Sequence, residues 1–132
     1  MRYLLDTNIL SELMRNPSGR VADSIAMVGE QQVCTSIVVV AELRYGIAKS
    51  RSRRLAAQLA AVLAGVDILP LEAPIDETYG ELRARLERSG GPIGANDMLI
   101  AAQALTVGLT LVTANEREFS RVPGLTIENW LR

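Results

Sequence analysis

The chain has no histidine. That absence excludes the Ser/His and Cys/His pairs of nucleophilic catalysis. There is one cysteine, Cys34, so the soft ligands that zinc and copper favour are missing as well. Any metal bound by side chains must be held by oxygen, which selects Mg²⁺ or Mn²⁺. Lysine is nearly as scarce: of 14 basic residues only Lys49 is a lysine. Schiff-base chemistry is therefore disfavoured, and a Walker-type phosphate loop would lack its lysine. A lone cysteine forms no internal disulfide; Val33 and Thr35 flank it with strand-like character, which predicts a buried thiol and fits a reducing cytoplasm. Aromatics make up only 4% of the chain, so the core must be built from Leu, Val, Ile and Ala. No apolar run approaches the ~20 residues of a membrane span. Asp6 and Glu12 interrupt the apolar start, so there is no signal-peptide pattern.

What remains is an ordinary globular composition. With 132 residues, 48% hydrophobic and 22% charged, the chain is expected to form one domain over residues 1–132 with a core that needs no staple. The net charge of −1 argues against nonspecific coating of nucleic acid but permits a locally basic groove. Short apolar runs at residues 2–6, 32–36, 67–71, 110–113 and 125–127 read as strands. Between them lie helical stretches: one starting at Ser11 and broken by Asn16-Pro17-Ser18-Gly19, and one carrying Val21, Ile25 and Val28 up to Gly29. Others run from Ile37 to Lys49 with Ser36 as cap, over 52–65, from Pro74 to Ser89, and from an Asn96 cap to Gly108, with a helical turn over 116–121. Alternation of continuously apolar strands with helices defines an α/β fold, a three-layer α/β/α sandwich around a mostly parallel sheet. In such folds ligands gather beyond the carboxyl ends of the strands.

Acidic residues recur at those ends. Asp6 closes the first strand in MRYLLDTN, where Asp, Thr and Asn are also good helix caps. Glu42 follows five apolar residues, Ile37 to Ala41, on a helix that reads as buried nearly all round. A carboxylate there must pair with a cation, with Arg44 or another arginine, or with a metal. Asp97 stands in a first helical turn, where it complements the dipole, but it shares a face with Ala101 and Ala104, small residues that imply close packing. TANEREF after the fourth strand offers Asn115, Glu116 and Glu118; Glu116 reads as an exposed turn. Clustered carboxylates repel unless a divalent cation compensates them. The chemistry that wants such a cluster and no other equipment is metal-assisted phosphodiester hydrolysis.

LLDTN, the AEL of the third helix, NDMLIAA after a Gly-Pro loop and LVTAN…EF resemble the PIN domain over essentially the whole chain. GPIGANDMLIAAQAL followed by GLTLVTANEREFSRVPGL and ENW is similar to the VapC-type toxins of bacterial toxin–antitoxin pairs. The resemblance implies a Mg²⁺- or Mn²⁺-dependent ribonuclease in which Asp6, Glu42 and Asp97 occupy the acidic positions. The fourth position, often Asp, is Asn115 here, with Glu118 as the alternative contributor. Thr7, Asn8 and Thr113 would orient carboxylates and water. It also implies a homodimer with a small antitoxin inserted over the acidic groove, an RNA substrate such as transfer RNA, no membrane, and DNA contact only through the antitoxin. Lys49, Arg51, Arg53 and Arg54 form a basic cluster that could track phosphate or remain a solvated loop. Two competing readings stay open. A non-catalytic RNA-binding PIN domain would bind RNA without metal or cleavage. A phospho-accepting receiver would need a strand-end lysine, and Lys49 lies at a helix end.

Overall fold

The first strand, β1 (Tyr3–Leu5), is buried at every residue, so both of its faces are covered. It is the middle of a five-stranded sheet in the order β3-β2-β1-β4-β5, with β2 (Val33–Ser36), β3 (Asp67–Leu69), β4 (Thr110–Val112) and β5 (Ile127–Glu128). All four pairings are parallel, with Leu4 opposite Cys34 on one side and Leu111 on the other. The structure, a computed structural model, describes residues 1–132. Helices connect the strands: α1 (Thr7–Arg15), α2 (Arg20–Val28), α3 (Ile37–Ser50), α4 (Arg53–Leu63), α5 (Ile75–Arg88), α6 (Ala95–Val107) and the one-turn α7 (Glu116–Phe119). The α/β/α sandwich and parallel sheet expected from the alternating pattern are thus present.

Local chemistry explains several boundaries. The Ser36 hydroxyl accepts from the amide of Val38 at 3.0 Å, and that of Ser52 from Leu55 at 3.1 Å, capping α3 and α4. Gly108 ends α6 at φ +81°, a left-handed conformation that glycine adopts without strain. The core is a cluster of 22 buried residues, among them Leu4, Leu5, Ile9, Leu10, Leu111 and Phe119, all with no exposure. Cys34 is within it; its thiol donates to the carbonyl of Tyr3 at 3.3 Å, and burial raises its pKa to about 11. It is a packing residue, as expected.

The sheet order places a switch point at the centre. The chain leaves β1 for β2 on one side and later returns to β4 on the other, so connections diverge between β1 and β4, where such folds bind ligands. Asp6 follows β1 and Thr113 follows β4, and the Asp6 amide donates to the carbonyl of Val112 at 2.9 Å.

Five expectations are corrected. α1 begins at Thr7 instead of Ser11, because Asp6 already stands in the extended backbone of a cap position. Gly94, and not Asn96, occupies the cap position of α6. β3 is an edge strand with Asp67 and Ile68 exposed, and β5 covers residues 127–128 in place of 125–127. α3 is not buried nearly all round: burial is confined to Val38–Val40, while Ile37 and Tyr45 are 43% and 68% exposed. The apolar run marks where the helix meets the sheet and not a helix enclosed along its length.

Candidate active site

Asp6 sits at the carboxyl end of β1 with only 4% of its surface exposed. It holds the cap position of α1, yet its side chain makes no capping hydrogen bond. The carboxylate instead accepts the Thr113 hydroxyl at 2.8 Å, across the switch point. Burial raises the pKa of Asp6; bonds from Thr113 and the Thr7 amide oppose that, and the charges of Glu42 and Glu118 reinforce it. Strand-end position alone thus offered two roles, and the side chain does not take the capping one.

Glu42 lies in α3, half-buried, and its Oε1 accepts the hydroxyl of Thr7 at 2.8 Å. The ion pair with Arg44 or another arginine does not form. The three ion pairs present are Arg15–Glu12, Arg83–Glu87 and Arg132–Glu116. Partial exposure of α3 lets Glu42 stay hydrated on one side, so it needs no guanidinium. Asp97 stands in the first turn of α6, half-buried above the fully buried Ala101 and Ala104. Its pKa is raised to about 7 by burial first, then by a hydrogen bond to Glu118 and by the charges of Asp6, Glu118 and Glu42. Four carboxyl groups from four different elements therefore sense one another.

Asn115 and α7 complete the rim. The Asn115 amide N–H donates to the Thr113 hydroxyl at 3.0 Å, and its side-chain Nδ2 donates to Oε2 of Glu118. Glu116 turns away from the other acids, but the exposed turn expected for it is instead a half-buried position in the first turn of α7. It accepts from Arg132 at 2.6 and 2.9 Å and from Asn129 at 3.0 Å, which hold its carboxyl below the usual range. Asn8 is exposed and takes part in no side-chain hydrogen bond, so of the three residues expected to orient the acids only Thr7 and Thr113 do so. A shallow cleft beside the acids is lined by Glu42, Gly94, Ala95, Asn96 and Asp97. Lys49, Arg51, Arg53 and Arg54 are exposed and lie outside the ion pairs, at the junction of α3 and α4.

As placed, no three of the acids stand at the spacing that encloses a cation. The donor set nevertheless fits a hard divalent cation. It is all oxygen, carboxylate-rich and free of positive side chains, which suits Mg²⁺ or Mn²⁺ and not zinc. Asp6, Glu42 and Asp97 are the residues that would hold it, with Glu118 as the fourth.

The sequence reading missed Gln103. It is fully buried, and its amide donates to the carbonyls of Pro70 at 3.1 Å and Leu69 at 3.4 Å, tying α6 to the end of β3. The available signal was a lone amide inside the apolar run MLIAAQAL.

A pH dependence follows from the raised acids. An acid with a raised pKa in the folded state holds a proton that the unfolded chain has lost, so stability falls as pH rises. For metal-free protein the fall begins near the ordinary aspartate value of ~3.9 and continues through about 7, the value for Asp97. Melting temperature in EDTA is expected to decline between pH 5 and 8, and Asp97→Asn to flatten that decline. A melting temperature that rises across this range would contradict the assignment.

Residues 3–125 match the family described as PIN domain, and the chain belongs to that family. The ribonuclease VapC2 of Rickettsia felis is 38% identical over 98% of both chains. The tRNA(fMet)-specific endonuclease VapC of Shigella flexneri is 36% identical, again over 98% of both. Among solved structures, VapBC2 of Rickettsia felis bound to a DNA fragment from its promoter aligns with a TM-score of 0.92 and 36% identity, over 98% of this chain and 99% of that one. Both curated relatives, matched along nearly their whole length, are thus VapC nucleases.

Proposed function

We propose that this chain is a Mg²⁺- or Mn²⁺-dependent endoribonuclease, the toxin of a VapBC-type toxin–antitoxin pair. The observation that carries the reading is the convergence of Asp6, Glu42, Asp97 and Glu118 beside the switch point, in a chain with no other catalytic equipment. Asp6, Asp97 and Glu42 would hold the cation. When bound, it neutralises phosphate charge and lowers the pKa of an attacking water. The protein's own part is to place its acids. Thr113 fixes Asp6 and Thr7 fixes Glu42. The pKa of Asp97, raised to about 7 by burial and the neighbouring acids, would fall when positive charge arrives, so a cation bound there would displace the proton it holds.

Relatives named for tRNA(fMet) cleavage and for VapBC complexes support a structured RNA substrate and a small antitoxin partner. Contact with promoter DNA would come through the antitoxin. The basic residues from Lys49 to Arg54 would follow the RNA backbone, where few aromatics are available for stacking. We place residues 1–132 in one domain, acting as a homodimer in the cytoplasm; no helix is long and apolar enough to cross a membrane. Induced expression in a bacterial host is expected to arrest growth, with relief when the small open reading frame beside the gene is co-expressed. Normal growth with abundant folded protein would oppose the reading.

A further inference from the structure

We infer that Asn115 is a positioning residue that aims Glu118 at the acidic cluster, and that it is not itself a metal ligand. The inference rests on the metal-nuclease reading above. Asn115 stands at the cap position of α7, where an asparagine oxygen ordinarily accepts an amide of the first turn, yet it makes no capping bond. Its Nδ2 donates to Oε2 of Glu118, three residues on, and its backbone N–H donates to the hydroxyl of Thr113.

That hydroxyl has a single proton, which goes to Asp6. The Asn115 N–H occupies a lone pair, so the direction of the hydroxyl is fixed. The result is one continuous chain of hydrogen bonds, Asp6–Thr113–Asn115–Glu118, which ties the carboxylate of α7 to the one at the end of β1. Asn115 is its only neutral side chain with N–H groups to give. Glu116 is drawn outward by Arg132 and Asn129, so Glu118 is the one acid that α7 turns to the site. An aspartate at 115 would present acceptors alone to Glu118 and would repel it.

The two roles of residue 115 predict opposite signs. Were it a ligand, Asn115→Asp would add charge to the cluster and tighten Mn²⁺ binding. As a positioning donor, its loss falls in the ~10–100-fold range seen when an outer partner of a ligand is removed. Isothermal titration with Mn²⁺, on protein whose melting curve shows it folded, is expected to give at least ~10-fold weaker binding for Asn115→Asp and Asn115→Ala. In a Glu118→Gln background, Asn115→Asp should cost less than it does in the wild type, because the repelled charge is gone. A change that acted only on folding would not depend on residue 118. Should Asn115→Asp not fold, Asn115→Ala, which has no donor, makes the same test: weaker Mn²⁺ binding supports positioning, unchanged affinity overturns it. Equal or tighter binding by Asn115→Asp overturns the inference alone. A wild-type protein that binds no Mn²⁺ overturns the metal-nuclease reading, and this inference with it.

Discussion

Asp6→Asn is expected to fold normally and to lose RNA cleavage by at least ~100-fold, the upper end of what removing even an outer partner of a metal ligand costs. The two halves of that result have separate causes. Asp6 makes no capping hydrogen bond with its side chain, and asparagine is as well suited to a cap position as aspartate, so the substitution leaves the start of α1 intact. An asparagine oxygen still accepts the Thr113 hydroxyl that now bonds Asp6. Removing a buried carboxyl whose pKa is already raised by burial also removes the cost of ionising it. The melting temperature in EDTA should therefore match or exceed that of the wild type at pH 7. Activity fails because the amide carries no charge for the cation. Thermal melting and a cleavage assay on the same preparation check both halves. Unfolding of Asp6→Asn would show that the carboxylate serves the strand end; full activity would show that it is no ligand.

Phe119→Ala carries the largest expected loss of stability. Phe119 is the only phenylalanine, is fully buried in the core cluster, and anchors α7. Truncating such a ring costs ~3–5 kcal/mol through lost transfer and the cavity left behind. That is a large share of the ~5–15 kcal/mol that holds a domain of ordinary stability together. The residue directly follows Glu118, so the folded fraction should also cleave poorly, because a one-turn helix without its anchor no longer fixes the acid. Urea denaturation measures the first effect, and activity per folded molecule the second. A loss under ~1 kcal/mol would mean that α7 is held mainly by the surface contacts of Glu116 with Asn129 and Arg132.

How far the sequence could be read depended on what each residue type leaves ambiguous. Asp6, Glu42 and Asp97 could be singled out as candidates because a chain without histidine gives its carboxylates few alternatives; Asp6 also closes a strand, where ligands gather in a parallel sheet, whereas Glu42 and Asp97 lie on α3 and α6. Thr7, Asn8 and Thr113 read alike as polar residues at strand ends. Helix geometry separates them, turning Thr7 to Glu42 and leaving Asn8 exposed. The burial of α3 was overread because a run of five apolar residues has no phase, so periodicity could not show where the helix leaves the core. In α7 two glutamates two residues apart face different ways. Only the partners of Glu116, Asn129 and Arg132, decide which one turns to the site, and both lie more than ten positions further on. Gln103 was missed for a related reason: its partners are backbone carbonyls at the end of β3, which carry no sequence signal.

The central claim is that these acids hold a divalent cation that the reaction requires. Its most direct test is RNA cleavage by purified chain stripped of metal, assayed in EDTA and again after Mn²⁺ is restored. The account predicts no cleavage in EDTA, recovery with Mn²⁺, and no recovery for Asp6→Asn or Asp97→Asn at any Mn²⁺ concentration. Cleavage that persists in excess EDTA, or that both substitutions leave intact, would contradict it.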